Sequence, residues 1–232
     1  MDRSLPRTTL FMLMSVDGKI STGNSDQRDF DKDLSGITGI KEGLQQYYDL
    51  EKHTDINSFN TGRVMAKIGV NNRKDPKTKL PCSFIIVDNK PHLTEHGITY
   101  LTKWTKKLFL VTTNKKHPAF KVKGMENLEI LYYSKKVDLV GLFKKLKGNF
   151  GMNRITIQSG GNMNAELIRQ GLVERISVVV APCIVGGKDT STLVEGTSLQ
   201  TIKDLKHVKS LVLQNAKKLK NSYLHLVYKI NI

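Results

Sequence analysis

Apolar residues fall along the chain in two rhythms. TTLFMLMS (8–15) reads as a buried strand, CSFIIVD (82–88) as a strand with a near-continuous apolar run, and KLFLVTT and NRITIQS as further strands. Uninterrupted runs of this kind fit parallel strands covered on both faces. Between them, apolar positions recur at helical spacing. Past the polar stretch DFDKDLSGITG, the positions of Ile40, Leu44, Tyr47, Tyr48 and Glu51 predict a helix. DINSFN reads as a short strand and TGRVMAKIG as a helix. LTEHGITYLTKW reads as a helix, LEILYY as a strand, and DLVGLFKKLKG as a helix closed by its glycine. The tail, VKSLVLQNAKKLKNSYLHLVYKI, predicts two strands around KLKNS, an antiparallel hairpin. Strands alternating with helices and closed by a hairpin define an α/β fold. The expectation is a mostly parallel central sheet with an antiparallel C-terminal hairpin and helices on both faces. The weak boundary is NNRKDPKTKLP (71–81). Neither side of it carries a complete core, so the pattern predicts a surface loop inside one domain spanning 1–232.

Composition sharpens this picture. With 232 residues, 39% of them hydrophobic, the chain can bury a sizeable core. The N-terminal run LFMLM is too short for a signal peptide or a membrane span. Cys82 and Cys183 sit in or beside apolar runs with no metal-ligand spacing. These features predict a soluble cytoplasmic protein with buried, reduced thiols and no metal. The formal net charge is +16, from 37 Lys and Arg, of which eight are Arg. Nucleic-acid readers lean on arginine forks. Here the lysines are spread along the whole chain and not interleaved with aromatics. That pattern points to a solvated basic surface that favours small anions, and away from nucleic acid.

Candidate chemistry sits at strand ends. In IQSGGNMNAELIRQGLVERISVVVAP (157–182) a buried strand ends at Ser159-Gly160-Gly161. A helix from about Asn162 to Gln170 follows, and Gly171 suits its end. The first helical turn offers unpaired N–H groups and the positive end of the helix dipole, and glycine lets a phosphate approach them. Asn162 is placed to cap the helix. The pattern is not G-x-G-x-x-G and lacks the downstream acid of a Rossmann site. A tight turn without a ligand is the alternative for the glycine pair. In MSVDGKIS, Asp17, Gly18 and Lys19 follow the first strand, at the end where α/β sheets bind ligands; Asp-Gly is also ordinary turn chemistry. In NTGRVM, Gly62 and Arg63 stand at a strand-to-helix junction, where Arg63 suits a phosphate or a solvated helix surface.

The order SVDGKIS, NTGRVM, IIVDNK and SGGNMNAELIRQGLVERISVVVAPCIVGG resembles the reductase domain of the riboflavin-biosynthesis deaminase/reductase, of the dihydrofolate-reductase-like superfamily, over nearly the whole chain. The resemblance implies a dihydrofolate-reductase-like fold, NADPH as hydride donor and a homodimer. It assigns the cofactor diphosphate to Gly160, Gly161, Asn162 and Met163, and a cofactor-contacting strand end to Met14 and Ser15. Gly62 and Arg63 take its phosphate-holding helix start, and Asn89 and Lys90 the turn near the 2′-phosphate. Five positions depart from the family pattern. Gln158 stands for a substrate-touching Glu, Phe11 for a Lys, His53 for a substrate-binding Arg, Met65 for a Thr and Gly69 for an Asp. The deaminase zinc signature is absent.

The chemistry implied is hydride transfer to a carbon of a C=N or C=O bond. Asp17 or Lys19 is the candidate for orienting the proton, Lys19 also for anchoring an anionic substrate, and Gln158 and His53 are candidate substrate contacts. Three readings stay open. One is a reductase of the 5-amino-6-(5-phosphoribosylamino)uracil type. Another is a reductase of the same fold acting on another small molecule. The third is a nucleotide-binding protein without turnover, or a basic nucleic-acid binder. Gly161→Val is expected to abolish cofactor binding with the fold intact. SYLHLVY is expected to be the bare sheet edge through which the homodimer forms.

Overall fold

The structure, a computed structural model, describes residues 2–231. The chain runs through β1 (Arg7–Met14), α1 (Phe30–Leu34), α2 (Lys41–Glu51), β2 (Asn57–Thr61), α3 (Gly62–Lys67), β3 (Ser83–Val87) and α4 (Glu95–Trp104). It continues through β4 (Lys107–Thr112), β5 (Leu128–Tyr132), α5 (Leu139–Phe150), β6 (Arg154–Ile157), α6 (Gly161–Arg169), β7 (Arg175–Val180), β8 (Leu211–Lys218) and β9 (Leu224–Ile230). These elements group into two compact units, Met1–Thr54 with Gly160–Ile232, and Asp55–Ser159.

In the first unit the strands lie in the order β1-β7-β9-β8. β1 is parallel to β7, and β9 is antiparallel to both β7 and β8. Helix α2 lays Leu44 and Tyr47 on a sheet face carrying Phe11, Leu13 and Val179. The Phe11 and Tyr47 rings stack 5.2 Å apart and 5° from parallel, a contact worth about 0.5–1.5 kcal/mol beyond its buried area. The hairpin turns at Asn221 and Ser222, with φ of 54° and 62°. Two successive positive φ values match the twist of the flanking strands. One expectation needs correcting: SYLHLVY forms β9, which is flanked by β7 and β8, so the open edge of this unit is β8. A second correction is α1, which lies in a stretch read as a polar loop. Asp29 caps it by accepting from the Lys32 N–H at 3.3 Å, and the turn drops Phe30 and Leu34 into the core.

The second unit has five parallel strands in the order β5-β4-β3-β2-β6. Phe59 and Phe109 face α5, meeting Phe143 and Phe150 at centroid distances of 5.3 and 4.7 Å. The opposite face, with Phe84, Ile86, Leu108 and Leu110, packs on Met65, Ile98 and Leu101 of α3 and α4. Cover on both faces is why β3 and β4 are apolar without interruption. Thr94 caps α4 and Asp138 caps α5 through the N–H groups of Gly97 and Gly141, at 3.1 and 2.9 Å. α5 passes through Gly148, the expected stop, and ends at Gly151 with φ of 66°. The 71–81 loop lies inside this unit, with the Arg73 guanidinium over the Tyr100 and Trp104 rings at 5.9 and 5.6 Å.

Cys82 and Cys183 are half-buried rather than fully buried. Among the described residues no helix is long and apolar enough to cross a membrane, and no group of three or more His, Cys, Asp or Glu is placed to hold a metal ion.

Candidate cofactor and substrate site

The turn after β1 is a closed hydrogen-bond network. Met14 ends β1 half-buried and its carbonyl accepts from the Ala181 N–H at 2.8 Å. Ser15 is fully buried. Its hydroxyl donates to Asp17 Oδ1 at 2.5 Å and accepts from the Lys19 N–H at 2.8 Å. The Asp17 carboxylate also accepts from the N–H groups of Val185 and Gly186 at 3.1 and 2.7 Å. The Ser15 hydroxyl, helped by those two N–H groups against slight desolvation, pulls the Asp17 pKa down to about 2. Lys19 Nζ donates to the carbonyls of Gly187 and Thr190 at 2.7 and 3.0 Å. Asp17 and Lys19 therefore fasten the 185–190 loop to the β1 turn. A carboxylate with a pKa about 2 carries no proton at neutral pH, so Asp17 does not supply one.

The glycine pair divides into two different residues. Gly160 is the N-cap of α6, and a Cβ there would meet nothing within 4 Å. Gly161 opens the helix, and its Cβ would overlap the Thr192 carbonyl and the Glu195 side chain. Glu195 is strapped to this turn. Its N–H donates to the Gly161 carbonyl at 3.0 Å, and its carboxylate accepts from Asn162 Nδ2 at 2.6 Å and the Thr192 N–H at 3.1 Å. Asn162 is thus held by Glu195 instead of capping the helix, and Met163 is half-buried one position on. The expectation that Gly161→Val spares the fold is overturned, because a backbone carbonyl fills that space. The open approach to the helix start is over Gly160.

In the second unit, the start of α3 and the loops after β3 and β4 converge on Asp88. Its side chain is fully buried. It accepts from the N–H groups of His92 and Leu93, from His92 Nδ1 at 3.0 Å and from His117 Nε2 at 3.0 Å. Burial pushes the carboxyl pKa up. The hydrogen bonds from His117 and His92 outweigh it and hold the group below its ordinary range. Gly62 packs directly on this carboxylate, and a Cβ would overlap it. The anion at the start of α3 is therefore the chain's own Asp88. Arg63 is exposed on the first turn of α3. Asn89 and Lys90 follow Asp88 on the exposed loop, with Asn89 Oδ1 accepting from the Thr113 N–H at 2.9 Å.

The substrate-side positions separate. Gln158 Oε1 accepts from the Ser58 hydroxyl at 3.1 Å, and Ser58 accepts from Asn60 Nδ2 at 2.8 Å, a polar ladder across β2. His53 is exposed in the turn after α2, ahead of β2, whereas Gly62 follows β2. Phe11 and Met65 are core residues, and Gly69 has φ of 90°, where a side chain is strained. Asp88 and Glu195 were not singled out in the sequence. The available signal for Asp88 was a carboxylate ending an uninterrupted apolar strand; Glu195, in a loop 33 residues after Asn162, gave none.

Comparison with known proteins reports on this arrangement. Over 71 residues, 31% of the chain, it is 37% identical to the 2,5-diamino-6-ribosylamino-4(3H)-pyrimidinone 5′-phosphate reductase of Methanothermobacter thermautotrophicus, covering 32% of that protein. Over 199 residues, 85% of the chain, it is 23% identical to the riboflavin biosynthesis protein RibD of Actinobacillus pleuropneumoniae, covering 50% of it. The chain thus spans about a third to a half of the length of these curated relatives. Among solved structures it superposes on a pyrimidine reductase-like protein of Corynebacterium diphtheriae with a TM-score of 0.67 at 16% identity, covering 98% of this chain and 92% of that one. It also superposes on dihydrofolate reductase from Enterococcus faecalis with a TM-score of 0.50 at 10% identity, covering 97% of each. These likenesses show a dihydrofolate-reductase-like fold. The family described as the RibD C-terminal domain matches residues 6–219, both units included, and the chain belongs to that family.

Proposed function

We propose that the chain is an NADPH-dependent reductase acting on a phosphoribosylamino-pyrimidine of riboflavin biosynthesis, in the cytoplasm. The observation that carries this reading is the family match over residues 6–219, joined to an open glycine at the α6 N-terminus. Relatives named as 2,5-diamino-6-ribosylamino-4(3H)-pyrimidinone 5′-phosphate reductases support the substrate class. In this reading the first unit holds the cofactor diphosphate over Gly160, with Met14 and Ser15 at the strand end. When bound, the nicotinamide supplies the hydride. The chain's own residues bind, orient and exclude water, and the proton comes from solvent, since Asp17 is ionised and Lys19 is engaged.

The test is NADPH oxidation followed by absorbance with the diamino-pyrimidinone phosphate and its uracil counterpart as substrates. Turnover of either supports the reading; NADPH binding without turnover of either removes the substrate assignment. A second reading, the same chemistry on a different small carbonyl or imine, draws on Phe11 being core-packed where the family pattern has a lysine. Turnover restricted to other members of a substrate panel would establish it. A homodimer belongs to the same proposal. All eight residues of β8 are exposed, Leu211, Val212 and Leu213 among them, at the open edge of the first unit.

A further inference from the structure

Asn162 stands in the first turn of α6, and Glu195 has hold of it. The helix runs for nine residues from Gly161. Its first internal hydrogen bond joins the Asn164 N–H to the Gly160 carbonyl at 3.0 Å. Ahead of that bond, among the described residues, the N–H groups of Gly161, Asn162 and Met163 have no partner, and no side chain caps the helix. Asparagine at such a place readily turns its own oxygen to nearby backbone N–H groups. Asn162 does not. A carboxylate only accepts, so the amide presents Nδ2 to Glu195, 2.6 Å away, and that contact fixes which way the amide faces. Glu195 is set in turn by the Thr192 N–H at 3.1 Å and by its own N–H on the Gly161 carbonyl at 3.0 Å. The surrounding loop has fastenings that do not use this carboxylate. Asn164 Nδ2 donates to the Leu193 carbonyl at 2.8 Å, and Arg169 donates to the Thr197 carbonyl at 2.7 Å.

We propose that Glu195 is a positioning residue that withholds Asn162 from the start of α6, and so keeps the helix N–H groups free for a diphosphate. This deepens the reductase reading and rests on it. Released, the Asn162 oxygen would take those N–H groups and compete with an incoming anion from within the chain, at high effective concentration. The Glu195 charge near the helix start also complements the helix dipole without occupying its donors. The two buried or half-buried carboxylates at helix starts thus do opposite jobs. Asp88 fills the start of α3, and Glu195 keeps the start of α6 open.

The experiment measures dissociation constants of NADPH, by fluorescence quenching, and of inorganic pyrophosphate, by calorimetry. Four proteins are compared: wild type, Glu195→Ala, Asn162→Ala and the double variant. Glu195→Ala weakens both ligands at least about tenfold, the scale of one hydrogen bond to a charged group. Asn162→Ala, which removes the competitor itself, stays within about threefold of wild type. The double variant returns to within about threefold of Asn162→Ala, because no oxygen is left to cap the helix. Matching melting curves confirm the fold, as the loop keeps its contacts to Asn164 and Arg169. A Glu195 that only braced the loop would leave the double variant as weak as Glu195→Ala. That result, or an unweakened Glu195→Ala, overturns the proposal, and NADPH turnover by wild type then leaves the reductase reading standing. Loss and rescue seen with pyrophosphate, in a protein that turns over no substrate, uphold the proposal and sink the reductase reading instead.

Discussion

Gly160 and Gly161 are neighbours with opposite constraints. Gly161 is pressed by a backbone carbonyl and the Glu195 stem, while Gly160 looks into open space. Gly161→Ala is expected to destabilise the fold by about 1–3 kcal/mol, the scale of overpacking, with a lower Tm. Gly160→Val is expected to melt within a few degrees of wild type and to weaken NADPH binding at least about tenfold, as read by fluorescence quenching. Equal NADPH affinity in Gly160→Val and wild type would reduce the pair to a turn. The glycines were legible in the sequence as strand-to-helix junctions, because two adjacent glycines there have few explanations. Which of them is open to approach was not legible. That depends on Glu195, 34 residues from Gly161, and no local pattern reports so distant a contact.

Among the elements, α1 carries a pH-dependent contact. Asp29, its cap, is buried, and burial together with the neighbouring Asp31 pushes its pKa up from 3.8 to about 7. The folded chain therefore binds a proton that the unfolded chain releases once the pH exceeds the ordinary carboxylate range. This contribution to stability is fully present below pH 3.8 and is lost as the pH rises through about 7. Asn at position 29 keeps the cap and has no proton to lose. Asp29→Asn should flatten the fall in Tm between about pH 5 and about pH 8; an unchanged slope would place the proton elsewhere. The hairpin turn offers a second check. Ser222 sits at φ 62°, so Ser222→Gly relieves strain and should raise stability by about 0.5–1 kcal/mol in urea melts, set against the entropy glycine loses. Here the sequence performed unevenly. The KLKNS turn and the apolar strands were readable from period and turn chemistry. The five-residue α1 was hidden, since one short turn buries only Phe30 and Leu34 and leaves its polar pattern like that of a loop.

For the molecule as a whole, β8 sets the expected assembly. An edge strand exposed along its full length invites pairing with a second copy. Light scattering should give twice the 26.1 kDa chain mass at micromolar concentration. Leu213→Lys, at a residue 52% exposed, should shift the population to monomer without lowering the Tm of the monomeric fold. A wild-type monomer would end the dimer proposal. The fold class was readable because alternation of strand and helix survives in any single sequence. The identity of the edge strand was not, because β8 and β9 carry similar patterns and only pairing order tells them apart.

One consequence concerns synthesis. The unit formed by Asp55–Ser159 is continuous, while the other is closed from both ends of the chain. When residue 159 leaves the ribosome, the continuous unit has all five of its strands. β1 still lacks β7, and Asp17 and Lys19 lack the carbonyls and N–H groups of residues 185–190. Segment 7–14 is then fastened along its β7 side only after residue 180 has emerged, although it is made before the whole continuous unit.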